Sequence, residues 1–281
     1  MKRSAPRAHE SRFHFVLLLV LLAANAVPSR ADESAPVTPL AKAHAHNDYE
    51  HKRPLFDALD HGFCSVEADI YLVDGALLVA HNRRDVKAER TLEALYLDPL
   101  AARVRAEGGR VYRDGPPFTL LVDIKADGQR AYEVLAERLS RYEDMLTVVR
   151  EGQVRPGAVT VVISGDRPTE RIAADKVRYA GIDGRMSDLD SDAAADFMPL
   201  VSDSWGSHFR WRGQGEMPAA EKDKLLSFVA KAHAKGRRVR FWAIPSNPTV
   251  WRELQADGVD LINTDDLAGL ERFLRASQAR E

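Results

Sequence analysis

The 281-residue chain has a single cysteine, Cys64, so it cannot hold itself together with an internal disulfide. Cys64 lies in the apolar run Phe63 to Val66, where a buried, inert thiol is expected. A basic excess is also missing. The 40 Lys and Arg against 42 Asp and Glu leave a formal charge of -2, which excludes binding a polyanion by counterion release and with it a nucleic-acid partner. No tract is rich enough in Gly, Pro or Ser to mark an internal linker or a low-complexity segment. The longest unbroken apolar run, Phe15 to Ala24, falls short of the roughly 20 residues that span a bilayer. Preceded by Lys2, Arg3, Arg7 and Arg12 and followed by the small residues Ser29 and Ala31, it reads as a cleaved secretory signal peptide over residues 1–31. Cleavage is expected before Asp32, with Ala24-Asn25-Ala26 as an earlier alternative. Residues 32–41 read as a flexible leader, and with no lipid-anchor cysteine after the run the mature protein is expected to be secreted or periplasmic, without a stable membrane anchor. Removing residues 1–31 leaves 35 basic and 41 acidic side chains, which weakens attraction to an anionic membrane further.

What is present is an alternation of short β-rich runs with amphipathic helical patterns. Eight runs stand out: Lys42 to His46, Ser65 to Leu72, Phe118 to Ile124, Val159 to Ser164, Val177 to Ile182, Met198 to Ser202, Val239 to Ala243 and Leu261 to Thr264. Helical periodicity fills Leu92 to Glu107, Arg130 to Leu146, Glu221 to Lys235, Thr249 to Asp257 and Asp266 to Arg275. Eight such units over residues 42–281 predict an α/β fold, a single (β/α)8 TIM barrel whose units need not all be regular. The Asp74-Gly75 pair predicts a tight hairpin extending strand two.

In such a barrel the working face lies at the carboxyl ends of the strands. Glu67 with Asp69 in strand two and Asp123 with Lys125 in strand three each share one face of their strand, because side chains alternate. Flanking residues such as Val66, Ala68, Ile70, Val122 and Ile124 reserve the other face for packing. Three carboxylates gathered inside the barrel would repel by about 4 kcal/mol per pair at about 4 Å and an effective dielectric near 20. Lys125 alone cannot offset that. Oxygen ligands without a thiolate point to one Mg²⁺, or Ca²⁺ in a looser cage, held by Glu67, Asp69 and Asp123. His46 and His81 are the expected proton-transfer pair; as ligands they would instead favour Zn²⁺. His44 could belong to either set, whereas His51, His61, His208 and His233 read as structural. Arg240 and Trp242 share a strand face at the end of strand seven and are expected to line the pocket.

These residues stand in an order that resembles the superfamily of glycerophosphodiester phosphodiesterases, sphingomyelinases D and phosphatidylinositol-specific phospholipases C. HNDY at His46 to Tyr49, SVEAD at Ser65 to Asp69, LLVDIK at Leu120 to Lys125, the Trp211 to Pro218 segment, VRFW ending at Trp242 and INTDDL ending at Leu267 look most like the branch of the altered-inheritance-of-mitochondria protein six group. The resemblance runs from about His44 to Leu270. It implies a metal-dependent phosphoric diester hydrolase acting on a glycerophosphodiester or phospholipid headgroup. Glu67, Asp69 and Asp123 would hold one metal, His46 and His81 would act as base and acid, and Lys125 would meet the phosphate with Trp242 near the headgroup. Asn47, counted with the substrate-binding residues, stands where the glycerophosphodiesterases carry an Arg, and Asp123 where they commonly carry a Glu. Two other readings remain open: a metal-free phospholipase C-type lyase that forms a cyclic phosphate, and a non-catalytic headgroup-binding module. The loop Asp203 to Pro218, with Trp205, Phe209 and Trp211, is either a mobile aromatic lid suited to a choline-like headgroup or a packed loop.

Overall fold

A computed structural model describes Met1 and residues 37–279; the expected signal peptide therefore lies outside the described residues, as does most of the leader. From Val37 onward the strands are β1 (Leu40–Ala45), β2 (Phe63–Val73), β3 (Ala76–Val79), β4 (Phe118–Ile124), β5 (Val148–Arg150), β6 (Gln153–Arg155), β7 (Val159–Gly165), β8 (Val177–Arg178), β9 (Ala180–Gly184), β10 (Leu200–Ser204), β11 (Arg238–Trp242) and β12 (Leu261–Thr264). The α-helices are α1 (Phe56–Asp60), α2 (Asp98–Ala106), α3 (Gly128–Ser140), α4 (Thr169–Ala173), α5 (Trp205–His208), α6 (Ala219–Ala234), α7 (Pro248–Ala256) and α8 (Leu267–Gln278).

Eight parallel strands, β1, β2, β4, β7, β9, β10, β11 and β12, pair in that order, and β1 meets both β2 and β12, so the sheet closes into a (β/α)8 barrel. The predicted hairpin is present: Asp74 and Gly75 both take positive φ, the geometry a two-residue turn needs, and β3 runs antiparallel to β2. β1 begins at Leu40, which is 1 % exposed, so the last two residues expected in the leader belong to the barrel instead. The run expected as one strand from Val177 to Ile182 splits in two. β8 joins β5 and β6 in a small antiparallel sheet, while β9 enters the barrel. α3 ends at Ser140, short of the expected Leu146, and the apolar spacing continues because Met145 and Leu146 are buried in the turns that follow. Regularity fails between β9 and β10, where one 3₁₀ turn (Met186–Asp188) replaces a helix. No described helix is long and apolar enough to cross a membrane.

The barrel interior positions the site. Leu121 of β4, Val162 of β7, Leu200 of β10 and Leu261 of β12 form an apolar cluster of their own, separate from the larger core between strands and helices. Two residues further along the same strand faces stand Asp123, Ser164, Ser202 and Asn263. A strand of period two therefore changes from an apolar floor to a polar face in one step. Cys64 is buried as expected, and burial pushes its thiol up to about 12. Leu121→Ala should remove the floor under Asp123 and cost about 2–5 kcal/mol, read as a lower midpoint in urea unfolding; an unchanged midpoint would show that this floor is not part of the core.

Candidate active site at the carboxyl end of the barrel

The parallel register sets Asp69 of β2 directly beside Asp123 of β4, and Glu67 beside Leu121. Glu67 therefore rests on the apolar floor while the two Asp residues sit one layer higher. One oxygen from each of the three carboxylates can be chosen so that all lie within 4.8 Å of one another. Lys125 Nζ donates to Asp69 Oδ2 at 2.7 Å and lies 3.2 Å from Asp123 Oδ1. Burial pushes Asp123 up to about 6; Lys125 opposes the rise, and Asp69 and Glu67 reinforce it. Asp69 is also raised, by burial and then by the charge of Glu67. Burial works against Glu67 as well, but Arg240, with Nη2 at 3.6 Å, and the neighbouring imidazoles hold it below the usual carboxylate range. Glu67 Oε2 and Asp69 Oδ1 are buried without a hydrogen-bond partner. Crowded carboxylates with unpartnered oxygens are a donor set that fits a hard divalent cation.

Three histidines flank the trio in three different states. His44 is fully buried: Arg240 donates to its Nε2 at 2.9 Å, which leaves the ring proton on Nδ1, 2.7 Å from Ser65 Oγ. Burial, and next the Arg240 charge, lower its pKa to about 3, so it stays neutral. His46 lies just past β1, its Nδ1 2.8 Å from Asp265 Oδ1 and its Nε2 turned toward Glu67 at 3.9 Å. The hydrogen bond from His46 is the largest influence lowering the Asp265 pKa. Asn47 takes a left-handed conformation at φ 48°, which turns the chain so that its Nδ2 donates to Asp265 at 3.2 Å and its Oδ1 lies 2.6 Å from the Tyr49 hydroxyl. That hydroxyl is also 2.7 Å from Asp69 Oδ2, so one proton serves two acceptors. His81, after the hairpin, places Nδ1 3.1 Å from Asp69 Oδ2, and its side chain is 56 % exposed.

The residues expected to act together are thus brought together, and two of them stand differently from what their sequence positions suggest. Arg240 was expected at the pocket wall; it is 3 % exposed and lies beneath the site as the counter-charge of Glu67, because the same face of β11 points it onto the floor layer. Asn47, expected to touch substrate, has both ends of its amide engaged, Nδ2 with Asp265 and Oδ1 with the Tyr49 hydroxyl. Trp242 stands half-buried at the rim, with the Arg185 guanidinium 5.1 Å from its ring centre. The aromatic loop is packed: Trp205, Phe209 and Trp211 are 0 %, 2 % and 7 % exposed, and Trp205 Nε1 donates to the Trp211 carbonyl.

Asp265 and Tyr49 were not assigned roles from sequence, although both lie in quoted motifs. Asp265 follows β12 directly, so the carboxyl-end rule could have found it. Gly165, at the end of β7, shows the same economy of space: a Cβ there would stand 2.4 Å from Asp123 Oδ1 and 2.3 Å from the Ile124 carbonyl oxygen.

Residues 31–182 match the family described as the AIM6-like phosphodiesterase domain, and residues 238–268 match the glycerophosphoryl diester phosphodiesterase family. Altered inheritance of mitochondria protein 6 of Lachancea thermotolerans is 31 % identical over 92 % of this chain and 74 % of that protein. The protein of the same name from Eremothecium gossypii is 29 % identical over 83 % and 69 %. Among solved structures, a glycerophosphodiester phosphodiesterase from Parabacteroides distasonis superposes with a TM-score of 0.52 at 13 % identity, covering 86 % of this chain and 99 % of that one. A calcium-dependent phosphoinositol-specific phospholipase C from Pseudomonas sp. gives 0.50 at 13 % identity, covering 82 % and 91 %. These two likenesses speak for the barrel fold alone.

The buried His44 has a consequence for stability. Its folded value of about 3 lies below the 6.5 of a free imidazole, so the unfolded chain takes up the proton first as pH falls. Its contribution is complete above about 6.5 and is lost toward pH 3, at no more than about 1.4 kcal/mol per pH unit. Asp48 and Asp123, raised to about 7 and about 6, act in the opposite direction through this window. The share of His44 is therefore the difference between wild type and His44→Gln in urea unfolding from pH 7 to pH 4.5, with the variant expected to lose less. Parallel curves would contradict a neutral, buried His44.

Proposed function

Because the chain belongs to the AIM6-like phosphodiesterase family, we propose that it is a metal-dependent phosphoric diester hydrolase acting on a glycerophosphodiester or phospholipid headgroup. The observation that carries this reading is the carboxylate trio with its unpartnered oxygens, flanked by two accessible imidazoles. Glu67, Asp69 and Asp123 would hold one Mg²⁺ or Ca²⁺, which supplies Lewis-acid stabilisation of charge growing on the phosphoryl oxygens.

The protein's own side chains divide the remaining work. Asp265 fixes the Nδ1 proton of His46 and stabilises the imidazolium that forms when Nε2 accepts a proton from water or from a substrate hydroxyl. His81, held through Nδ1 by Asp69, supplies a proton to the leaving oxygen from Nε2. Lys125 offsets the two Asp charges at the place where the phosphodiester anion arrives. Asn47 braces Asp265 and Tyr49, and through them the two imidazoles are kept in register. Arg240 allows Glu67 to remain ionised on an apolar floor.

The test is hydrolysis of a chromogenic phosphodiester by the full mature chain. Activity should disappear with EDTA and return with Mg²⁺ or Ca²⁺, and Glu67→Gln should lose metal-dependent thermal stabilisation and turnover together. His46→Ala or His81→Ala should lower kcat by about 10² to 10⁴ with an unchanged unfolding midpoint. Activity that survives chelation would favour the metal-free lyase, and near-normal turnover in either His variant would remove that residue from the mechanism.

We also propose that residues 1–31 export the chain. Amino-terminal sequencing of protein recovered outside the cytoplasm should begin at Asp32; an intact Met1 there would refute cleavage.

A further inference from the structure

We infer that the substrate carries a second negative charge on its headgroup, received by Arg167 and Arg185 on the flank of the site away from the two catalytic imidazoles. The inference rests on the phosphodiesterase reading and specifies its substrate class.

The strand order places these side chains. Ile124 pairs with Gly165, so the chain leaving β7 passes directly beside Asp123 and Lys125, and Arg167 follows two residues later. β9 comes next and is followed at once by Arg185; beyond it β10 and β11 bring Ser204 level with Trp242. Lys125, Arg167 and Arg185 therefore follow one another around a single arc of the working face.

Arg167 is half-buried, yet among the described residues no carboxylate lies within ion-pair distance of it. Among the described residues the one hydrogen bond of its guanidinium is a long one to the Gly165 carbonyl, at 3.4 Å. A guanidinium taken partly out of water normally gains a carboxylate or several acceptors in exchange. Here burial, and next the like charge of Arg185, work against the cation, while Asp183, Asp188 and Asp123 favour it from a distance. Each of those carboxylates is engaged elsewhere: Asp183 with Arg185, Ser164 and Ser202, Asp188 with the Arg185 backbone N–H, and Asp123 with Lys125. Arg167 is thus a cation without a partner beside the point where the diester arrives.

Trp242 argues in the same direction. An open indole face suits a quaternary ammonium. This one already lies 5.1 Å from the Arg185 guanidinium and 6.0 Å from that of Arg240, and the aromatic loop that would have completed a cage is packed into the core. A choline-like headgroup would have to displace a fixed cation and remain beside another. A phosphate or carboxylate instead meets the unpaired guanidinium of Arg167, a donor set suited to paired hydrogen bonds, with Arg185, already held by Asp183, adding positive charge beside it.

The test is a series of headgroup charge on one diester: glycerophosphocholine, glycerophosphoglycerol, and glycerophosphoglycerol bearing a terminal phosphate on the headgroup glycerol. Binding is measured by calorimetry with Ca²⁺ on the turnover-blocked His46→Ala chain, and kcat/KM on the wild type. Affinity should rise at least tenfold from the neutral to the phosphorylated headgroup and be weakest for choline. Adding Arg167→Ala or Arg167→Glu should collapse that preference, whereas Arg167→Lys should restore part of it. Equal affinity across the series, or a preference unaffected by Arg167→Glu, would overturn the inference while leaving hydrolysis intact. The expected order of binding without any wild-type turnover would sink the hydrolase reading instead.

Discussion

Three acidic side chains confined above an apolar floor set the terms for everything else at this end of the barrel. The sheet puts them there: parallel pairing aligns Asp69 with Asp123, and two-residue alternation places Glu67 on the layer of Leu121. Such a cluster is unfavourable unless positive charge is supplied, and the chain supplies it from two directions. Arg240 reaches Glu67 from below through β11, and Lys125 reaches the two Asp residues from above through the end of β4. The compensation is incomplete, since Asp123 and Asp69 are still raised and two oxygens lack partners. A residual demand for cation at a defined point is the physical content of a metal site.

The histidines show how one residue type acquires three roles from its surroundings. His44, deprived of water and facing Arg240, is fixed as a neutral acceptor and joins the scaffold. His46 has lost only part of its solvent and gained Asp265, which holds one ring nitrogen and turns the second inward. His81 remains mostly in water, with Asp69 fixing one nitrogen. The residues at 44 and 46 share a strand face, so position alone does not separate them; depth along the barrel axis does.

Depth of that kind is a tertiary property, whereas strand faces and their alternation are local ones. The barrel was legible because eight β-rich runs recur with helices between them, and Phe118–Ile124 and Leu261–Thr264 match their strands end to end. The carboxylate trio was legible because alternation in a strand is a local property. Alternation gives the face of Arg240 but not its depth, which depends on the stagger between β11 and its neighbours. The division at Val177 to Ile182 was hidden because both pieces are equally β-prone, and only pairing with β5 tells them apart. The state of the aromatic loop was open for a related reason: Trp205 has the same composition in a lid as in a core, and its packing against Phe209 and Phe241 is a tertiary fact.

Taken around its circumference, the working face is polarised. Asp265, His46 and His81 follow β12, β1 and the β2–β3 hairpin, whereas Lys125, Arg167 and Arg185 follow β4, β7 and β9. In strand order His46 and Arg185 lie on opposite sides of the closed sheet. A phosphodiester placed over the carboxylate trio would then have proton-transfer groups on one side and fixed cations on the other. For the substrate proposed above, one orientation would leave its anionic headgroup against guanidinium and the scissile oxygen toward an imidazole; the reverse would set that headgroup against Asp265. If the chain acts as proposed, orientation would be selected by charge before any contact with the shape of the headgroup, with no enclosing lid required.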